Sequence, residues 1–236
     1  MSKSWGSLAV KNVVCPFNFH KVTPYGINTQ YNQAWKPCYK IWISDNRTEI
    51  AMQPFPLDQA FTFLESGPVT LVTTHDGRRD NVVTITWTMV LDFDARFAIT
   101  TGPWNYSWEA IEKTRECVLA IPSADMLDTV VGIGLCSGRD TDKFEKFGLA
   151  RRKADRVKAP LLIECLANIE CRVIDIIAPY GIVILEGVAV HADPHRKERS
   201  SLHAIGDGTF VTDGPVLDRR MMMRPKLPPS VLTHKS

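Results

Sequence analysis

From residue 68 to residue 192 the chain alternates short β-branched runs with turn signals. Val69-Thr70-Leu71-Val72-Thr73-Thr74 stops at His75-Asp76-Gly77, and Asn81-Val82-Val83-Thr84-Ile85-Thr86-Trp87 takes the pattern up again. β-Branched and aromatic side chains suit a pleated, half-buried surface, and Asp-Gly between two such runs predicts a hairpin, extended here by Arg78 to Asp80. Phe97-Ala98-Ile99-Thr100-Thr101 predicts a third strand, and Cys117 to Ile121 a fourth, closed by Pro122. Ala167 to Ile177 alternates, with Ile169, Cys171 and Val173 against Glu170 and Arg172. Gly181 to His191 is nearly all apolar, and Pro179-Tyr180-Gly181 turns between the two. Glu109 to Thr114, Ala124 to Gly132 and Asp142 to Phe147 predict small helices, the last ended by Gly148. At least six short strands with small helices between them predict a mainly β fold. The expected form is a closed or sandwich-like antiparallel barrel and not a doubly wound parallel sheet.

The flanks differ from this body. Residues 1–53 are rich in Pro, Asn and aromatics, which predicts an ordered, irregular extension packed on the body, because disordered segments are poor in aromatics. Residues 54–192 are the expected barrel. Residues 193–236 are charged and then Pro-rich, a tail expected to wrap the surface or to be partly mobile. Within it Ile205-Gly206-Asp207-Gly208-Thr209-Phe210 has two Gly-centred turns and reads as a surface hairpin, or as a cover for a partner subunit's site.

At 236 residues with 44% hydrophobic positions, the chain can bury a real core without disulfide or metal staples. Lys+Arg 28 against Asp+Glu 26 leaves +2, so no nucleic-acid footprint is expected. The basic run Arg151-Arg152-Lys153 is short and sits beside Asp155. The most apolar stretch, Ile176 to Leu185, is about half a bilayer span and carries Pro179 and Gly181, so no membrane crossing is expected. No leader-like apolar stretch stands near residue 1. The six cysteines form no C-x-x-C pair; Cys117, Cys165 and Cys171 sit among apolar neighbours and read as small core residues of a reducing, cytoplasmic protein. No metal site is expected. The chain also lacks a G-x-G-x-x-G, a P-loop, an H-E-x-x-H and a G-x-S-x-G, and Gly132-Ile133-Gly134 is too short to signal a dinucleotide fold.

What remains is a concentration of hydroxyl, amide and aromatic residues around two strand ends. One comprises Asn81, Thr84, Thr86, Trp87 and Thr88. The other is Thr100 and Thr101, followed by Gly102-Pro103-Trp104-Asn105-Tyr106-Ser107-Trp108 leading into a helix, with Asn105 or Ser107 as the expected N-cap. A helix N-terminus with hydroxyls beside it suits a phosphate, and neighbouring aromatics suit a flat conjugated ring. Thr favours strands and Ser caps helices whatever they bind, so residue type alone leaves both readings open.

These stretches resemble a known family. Gly67 to Thr74, Asn81 to Trp87 and Tyr106-Ser107-Trp108-Glu109-Ala110-Ile111 are similar to the flavin reductase-like, FMN-binding split-barrel family. So are Ser137-Gly138-Arg139-Asp140-Thr141-Asp142-Lys143-Phe144 with Gly148-Leu149, Ala159 to Cys165, and Ile169-Glu170-Cys171. The resemblance covers about residues 55–192 and lies in the order of its segments. It implies a split barrel, usually dimeric, with FMN near the subunit interface. Asn81, Thr84, Ile85, Thr86 and Trp87 would lie along the flavin ring and ribityl chain, with backbone N–H groups near N5 and O4. Thr100, Thr101, Asn105 and Ser107 would hold the phosphate. Arg139 and Lys143 would add charge at the phosphate or at a nicotinamide cofactor, or would be ordinary solvated charges at a helix start capped by Asp142.

Many relatives carry a His at the start of the last barrel strand. This chain has Pro179-Tyr180-Gly181 there, and His191 at the strand's far end reads as structural. The implied activity is NAD(P)H-dependent reduction of flavin, with NADH or NADPH as transient donor and no side-chain acid or base required. The alternatives are a flavoredoxin-like carrier with tightly bound FMN, an electron-acceptor or donor protein as its partner and no nicotinamide site, or a non-flavin binding protein on the same barrel.

Overall fold

The computed structural model describes residues 52–64 and 67–233. The expected extension, with Cys15 and Cys38, therefore lies outside the described residues but for its last two. The strands are β1 (Gln53–Phe55), β2 (Thr70–His75), β3 (Asp80–Ile85), β4 (Thr88–Val90), β5 (Arg96–Thr100), β6 (Glu116–Ile121), β7 (Arg151–Arg152), β8 (Leu161–Leu162), β9 (Ala167–Ile177), β10 (Ile182–Ala192), β11 (Leu202–Ala204) and β12 (Phe210–Thr212). The helices are α1 (Ser107–Thr114), α2 (Leu127–Gly134), α3 (Lys143–Phe147), α4 (Arg220–Met223) and α5 (Pro229–Thr233).

Eight strands form one sheet along the path β3-β2-β6-β9-β10-β5-β4, with β1 beside the far half of β10, and every pairing is antiparallel. In a flat sheet the six gaps between β3 and β4 would amount to roughly 29 Å. The chain joins these edge strands through Thr86 and Trp87 alone, and the three Cα–Cα steps from Ile85 to Thr88 reach only about 11 Å. The sheet must therefore curl until its edges meet. Thr88 Oγ1 donates to the Pro68 carbonyl, just before β2, at 3.2 Å, and Thr100 N donates to the Trp87 carbonyl at 3.0 Å, carrying the β4–β5 pairing back into the link. Register shifts between Ile184/Leu185 and Gly187/Ala189 bend the long β9–β10 pair. At the second shift Gly187 N donates to the Ala95 carbonyl at 2.8 Å, an approach that a Cβ, 3.3 Å from Ala95 and Ile169, would crowd.

Period-2 alternation sorts side chains to the two faces. Val72, Val83, Phe97, Leu119, Ile169 and Leu185 fill the interior, which Trp108 and Ile111 of α1 plug. Leu71, Val82 and Ala120 face outward under Val130 and Ile133 of α2 and Phe144 of α3. Cys117 and Cys171 belong to the interior and Cys165 to the outer layer, all as free thiols.

His191 is structural. It is buried with Nε2 2.8 Å from Glu170 Oε1, and Arg152 Nη2 lies 3.2 Å from its Nδ1. A guanidinium can only donate, which assigns the proton to Nε2. The buried Glu170 carboxylate also accepts from the backbone N–H groups of Asp155, Arg156 and Val157. Asp155, Glu170 and His191 bring ligand-type atoms within 4.8 Å of one another, but these protein hydrogen bonds engage Glu170 and His191. In the tail, β11 and β12 form the expected hairpin, with Gly206 (φ +99°) and Gly208 (φ +92°) at its turn.

Candidate functional site

A groove of about 300 Å³ opens between the β3 end of the sheet, the start of α1 and the α2–α3 connection. Asn81, Thr84, Asn105, Ser107 and Lys143 line it, together with Trp104, Tyr106 and residues 133–138.

Hydrogen bonds inside the protein decide what each side chain has left for a ligand. Asn81 is buried on β3 and its Nδ2 donates to Ser107 Oγ at 2.8 Å. Ser107 Oγ is thereby an acceptor, and its own proton remains to donate. Thr84 Oγ1 donates to the Val130 carbonyl at 2.6 Å, so toward a ligand Thr84 can only accept. Asn105 Nδ2 donates to Thr101 Oγ1 at 3.0 Å, leaving its carbonyl oxygen and second proton. Gly138 packs flat on Asn81: a Cβ there would lie 2.1 Å from Asn81 Oδ1.

Lys143 is the charged element. Asp142 caps α3, accepting from Phe144 N at 3.0 Å and Glu145 N at 3.2 Å, and this sets the next residue against α2. Lys143 is only 4% exposed, and its Nζ donates to the Ile133 carbonyl at 2.9 Å. Desolvation by burial lowers its pKa. The sequence alternative of a solvated Lys143 is thus corrected: with Phe144 in the outer core, its neighbour is drawn inward.

The expected cap of α1 is also corrected. The N-cap position is Tyr106, with helical backbone angles and no side-chain cap. The helix begins at Ser107 because the Asn105 carbonyl already accepts from Trp108 N at 3.0 Å, while the Asn105 and Ser107 side chains are turned to Thr101 and Asn81.

Other expected residues stand outside this lining. Ile85 belongs to the interior core. Thr86 and Trp87 are exposed on the β3–β4 link, just beyond Thr84. Thr100 is half-buried at the end of β5, and Thr101 is buried with its N–H on the Gly181 carbonyl at 2.8 Å. Arg139 is exposed, its guanidinium 5.5 Å from the centre of the Tyr106 ring. Sequence reasoning missed Arg79, which lies 4.8 Å from the same ring, bonds the Tyr106 hydroxyl, and donates to the Gly138 carbonyl at 2.6 Å.

Residues 64–213 match the flavin reductase like domain. This chain belongs to that family. A relative, the uncharacterized protein YddH of Escherichia coli (strain K12), is 30% identical over 178 residues, 68% of this chain and 94% of YddH. Among solved structures, an FMN-binding domain of a flavin reductases-like enzyme from Shewanella baltica OS155 superposes with a TM-score of 0.65 at 24% identity, covering 71% of this chain and 97% of that one. Flavoredoxin of Desulfovibrio vulgaris (Miyazaki F) superposes at 0.60 with 23% identity, over 65% and 90%. The fold is accordingly the mainly β split barrel, a curled antiparallel sheet with few small helices.

Proposed function

We propose that this chain is an FMN-binding oxidoreductase that holds the flavin phosphate at Lys143 and reduces the flavin with NADH or NADPH. The observation that carries this reading is the buried Lys143 ammonium on the groove wall, bonded to one neutral carbonyl. A buried cation is costly unless a charge partner joins it. A phosphate monoester, carrying roughly −1.5 to −2 charges at neutral pH, is such a partner. Family membership and the FMN-binding neighbours support the same choice.

Each residue then has a task. Lys143 and the free Ser107 proton bind phosphate oxygens. Thr84 accepts from a ribityl hydroxyl, and Asn81, clamped by Gly138 and Ser107, fixes the wall between them. The link Ile85-Thr86-Trp87 offers backbone groups and an exposed indole to the ring, with Thr100, Thr101, Asn105 and Arg139 as a surrounding polar shell. FMN, when bound, supplies the hydride-accepting chemistry. The protein contributes orientation and fixed dipoles, so no side-chain acid or base is needed.

The link, β4 and the turn after it expose Trp87 (67%), Met89 (53%), Leu91 (40%) and Phe93 (50%). A sheet edge with so much apolar surface is a liability when left uncovered. A second copy covering it, as a cytoplasmic homodimer, is part of the proposal. No described helix is long and apolar enough to cross a membrane.

Anaerobic addition of NADH or NADPH to the FMN-loaded protein tests the activity. Bleaching of the flavin absorbance is the expected result. One sequence feature supports a carrier: Pro179-Tyr180-Gly181 stands where the family resemblance implies a His. Bound flavin that bleaches only with a reduced partner protein would select that reading, and a protein that takes up no FMN would refute both.

A further inference from the structure

Beyond the β11–β12 hairpin the chain is tied down at two points, with an exposed arm between them. At the first, the Asp213 carboxylate accepts from Ser201 N at 2.7 Å and lies 2.8 Å from His203 Nε2. At the second, Gln59 Nε2 donates to the Ser230 carbonyl at 2.9 Å, and Val231 packs against the interior core. Every residue from 214 to 226 is exposed. The family domain ends at residue 213, so the arm is an addition to it. The arm nevertheless displays large apolar side chains: Val216, Leu217, Met221 and Met222 are between 76% and 93% exposed, and Met223 is half-exposed. Arg219, Arg220, Arg224 and Lys226 are interleaved with them, and the one acid of the arm, Asp218, is paired with Arg220 at 2.9 Å. The arm thus carries +3, more than the +2 of the whole chain.

We propose that this arm binds an anionic lipid surface and lies in its head-group layer. Five large apolar side chains displayed together mark a surface that something covers. The core of a protein interface is depleted of charged residues, whereas here cations stand directly beside the apolar groups. A lipid interface takes both kinds at one depth. Aliphatic and thioether side chains enter the acyl boundary, while guanidinium and ammonium heads stay among the phosphates. α4 is only four residues long, and both ends of the arm are tethered to the body, so the arm lies on a membrane and does not cross it. Nothing in this binding depends on flavin.

Co-sedimentation of the full-length chain with lipid vesicles tests this, using phosphatidylcholine alone and an equal mixture of phosphatidylglycerol and phosphatidylcholine. The wild-type protein is expected to bind the mixed vesicles, less so at high salt, and to leave phosphatidylcholine unbound. R219Q/R224Q is expected to weaken binding roughly twentyfold, about fivefold for each cation at an anionic surface. M221S/M222S is expected to weaken it roughly tenfold through lost apolar burial. Both variants should keep the wild-type thermal midpoint, because the exchanged side chains face solvent. Absence of binding to the mixed vesicles, equal binding to the two vesicle types, or unaltered binding in either variant overturns the proposal. A protein that ignores vesicles and turns from dimer to monomer on M221S/M222S in sedimentation equilibrium also overturns it, and gives the arm to a second copy.

Discussion

Lys143 concentrates the chemistry of the site in one titratable group. Burial lowers its pKa from 10.5 in the folded, flavin-free protein. Between that lowered value and 10.5 the unfolded chain binds more protons than the folded one, so folding stability rises with pH across this window. Below the window the full desolvation penalty is present. Chemical denaturation of flavin-free protein across the alkaline range is expected to show this rise, and K143M to abolish it. FMN binding, which draws on the cation, is expected to weaken as pH rises through the same window. A phosphate hydrogen bond to Ser107 predicts that S107A weakens FMN binding by about 1 kcal/mol, roughly fivefold, in a fluorescence titration. G138A, whose Cβ would meet Asn81 Oδ1 at 2.1 Å, should weaken FMN binding further, because the clamped amide must move. Asn81, Thr84, Ser107 and Lys143 were legible in the sequence through motif order. Arg79 was not, because an arginine in a hairpin turn looks like any solvated charge until the fold sets Tyr106 and Gly138 beside it.

Local chemistry foretold most elements. β-Branched runs marked β2, β3, β9 and β10, and the Asp76-Gly77 turn formed because Gly77 takes φ +100° while Asp76 accepts from the N–H groups behind it. α3 has its foreseen cap and its foreseen end at Gly148, φ +64°. Loss of that cap in D142A is expected to cost about 1 kcal/mol of stability, read from the urea midpoint. It should also lower FMN affinity, since the cap sets the direction of Lys143. The start of α1 was less legible, because the side chains of Asn105 and Ser107 found tertiary partners in place of local ones. β4 was missed altogether: Thr88-Met89-Val90 is three residues long, and its pairing with β5 is what makes it a strand.

Across the whole molecule, the two-residue link from β3 to β4 forces the sheet to curl, and the curl sets the groove beside the seam. Antiparallel character was readable from strand count and turns. Strand order was not, since it depends on contacts such as β6 with β9 that are distant in sequence. The seam leaves β4 as an apolar edge, and M89D at its centre is expected to shift a dimer to monomer in sedimentation equilibrium. Lys143 is proposed to anchor a flavin phosphate in the groove beside Asn81. Fluorescence titration with FMN and with riboflavin, which lacks the phosphate, tests it directly on wild-type protein and K143M. Wild-type protein is expected to prefer FMN roughly tenfold or more, the scale of a charge-assisted bond, and K143M to lose that preference with riboflavin binding unchanged. Equal affinity of the wild-type protein for FMN and riboflavin would contradict it.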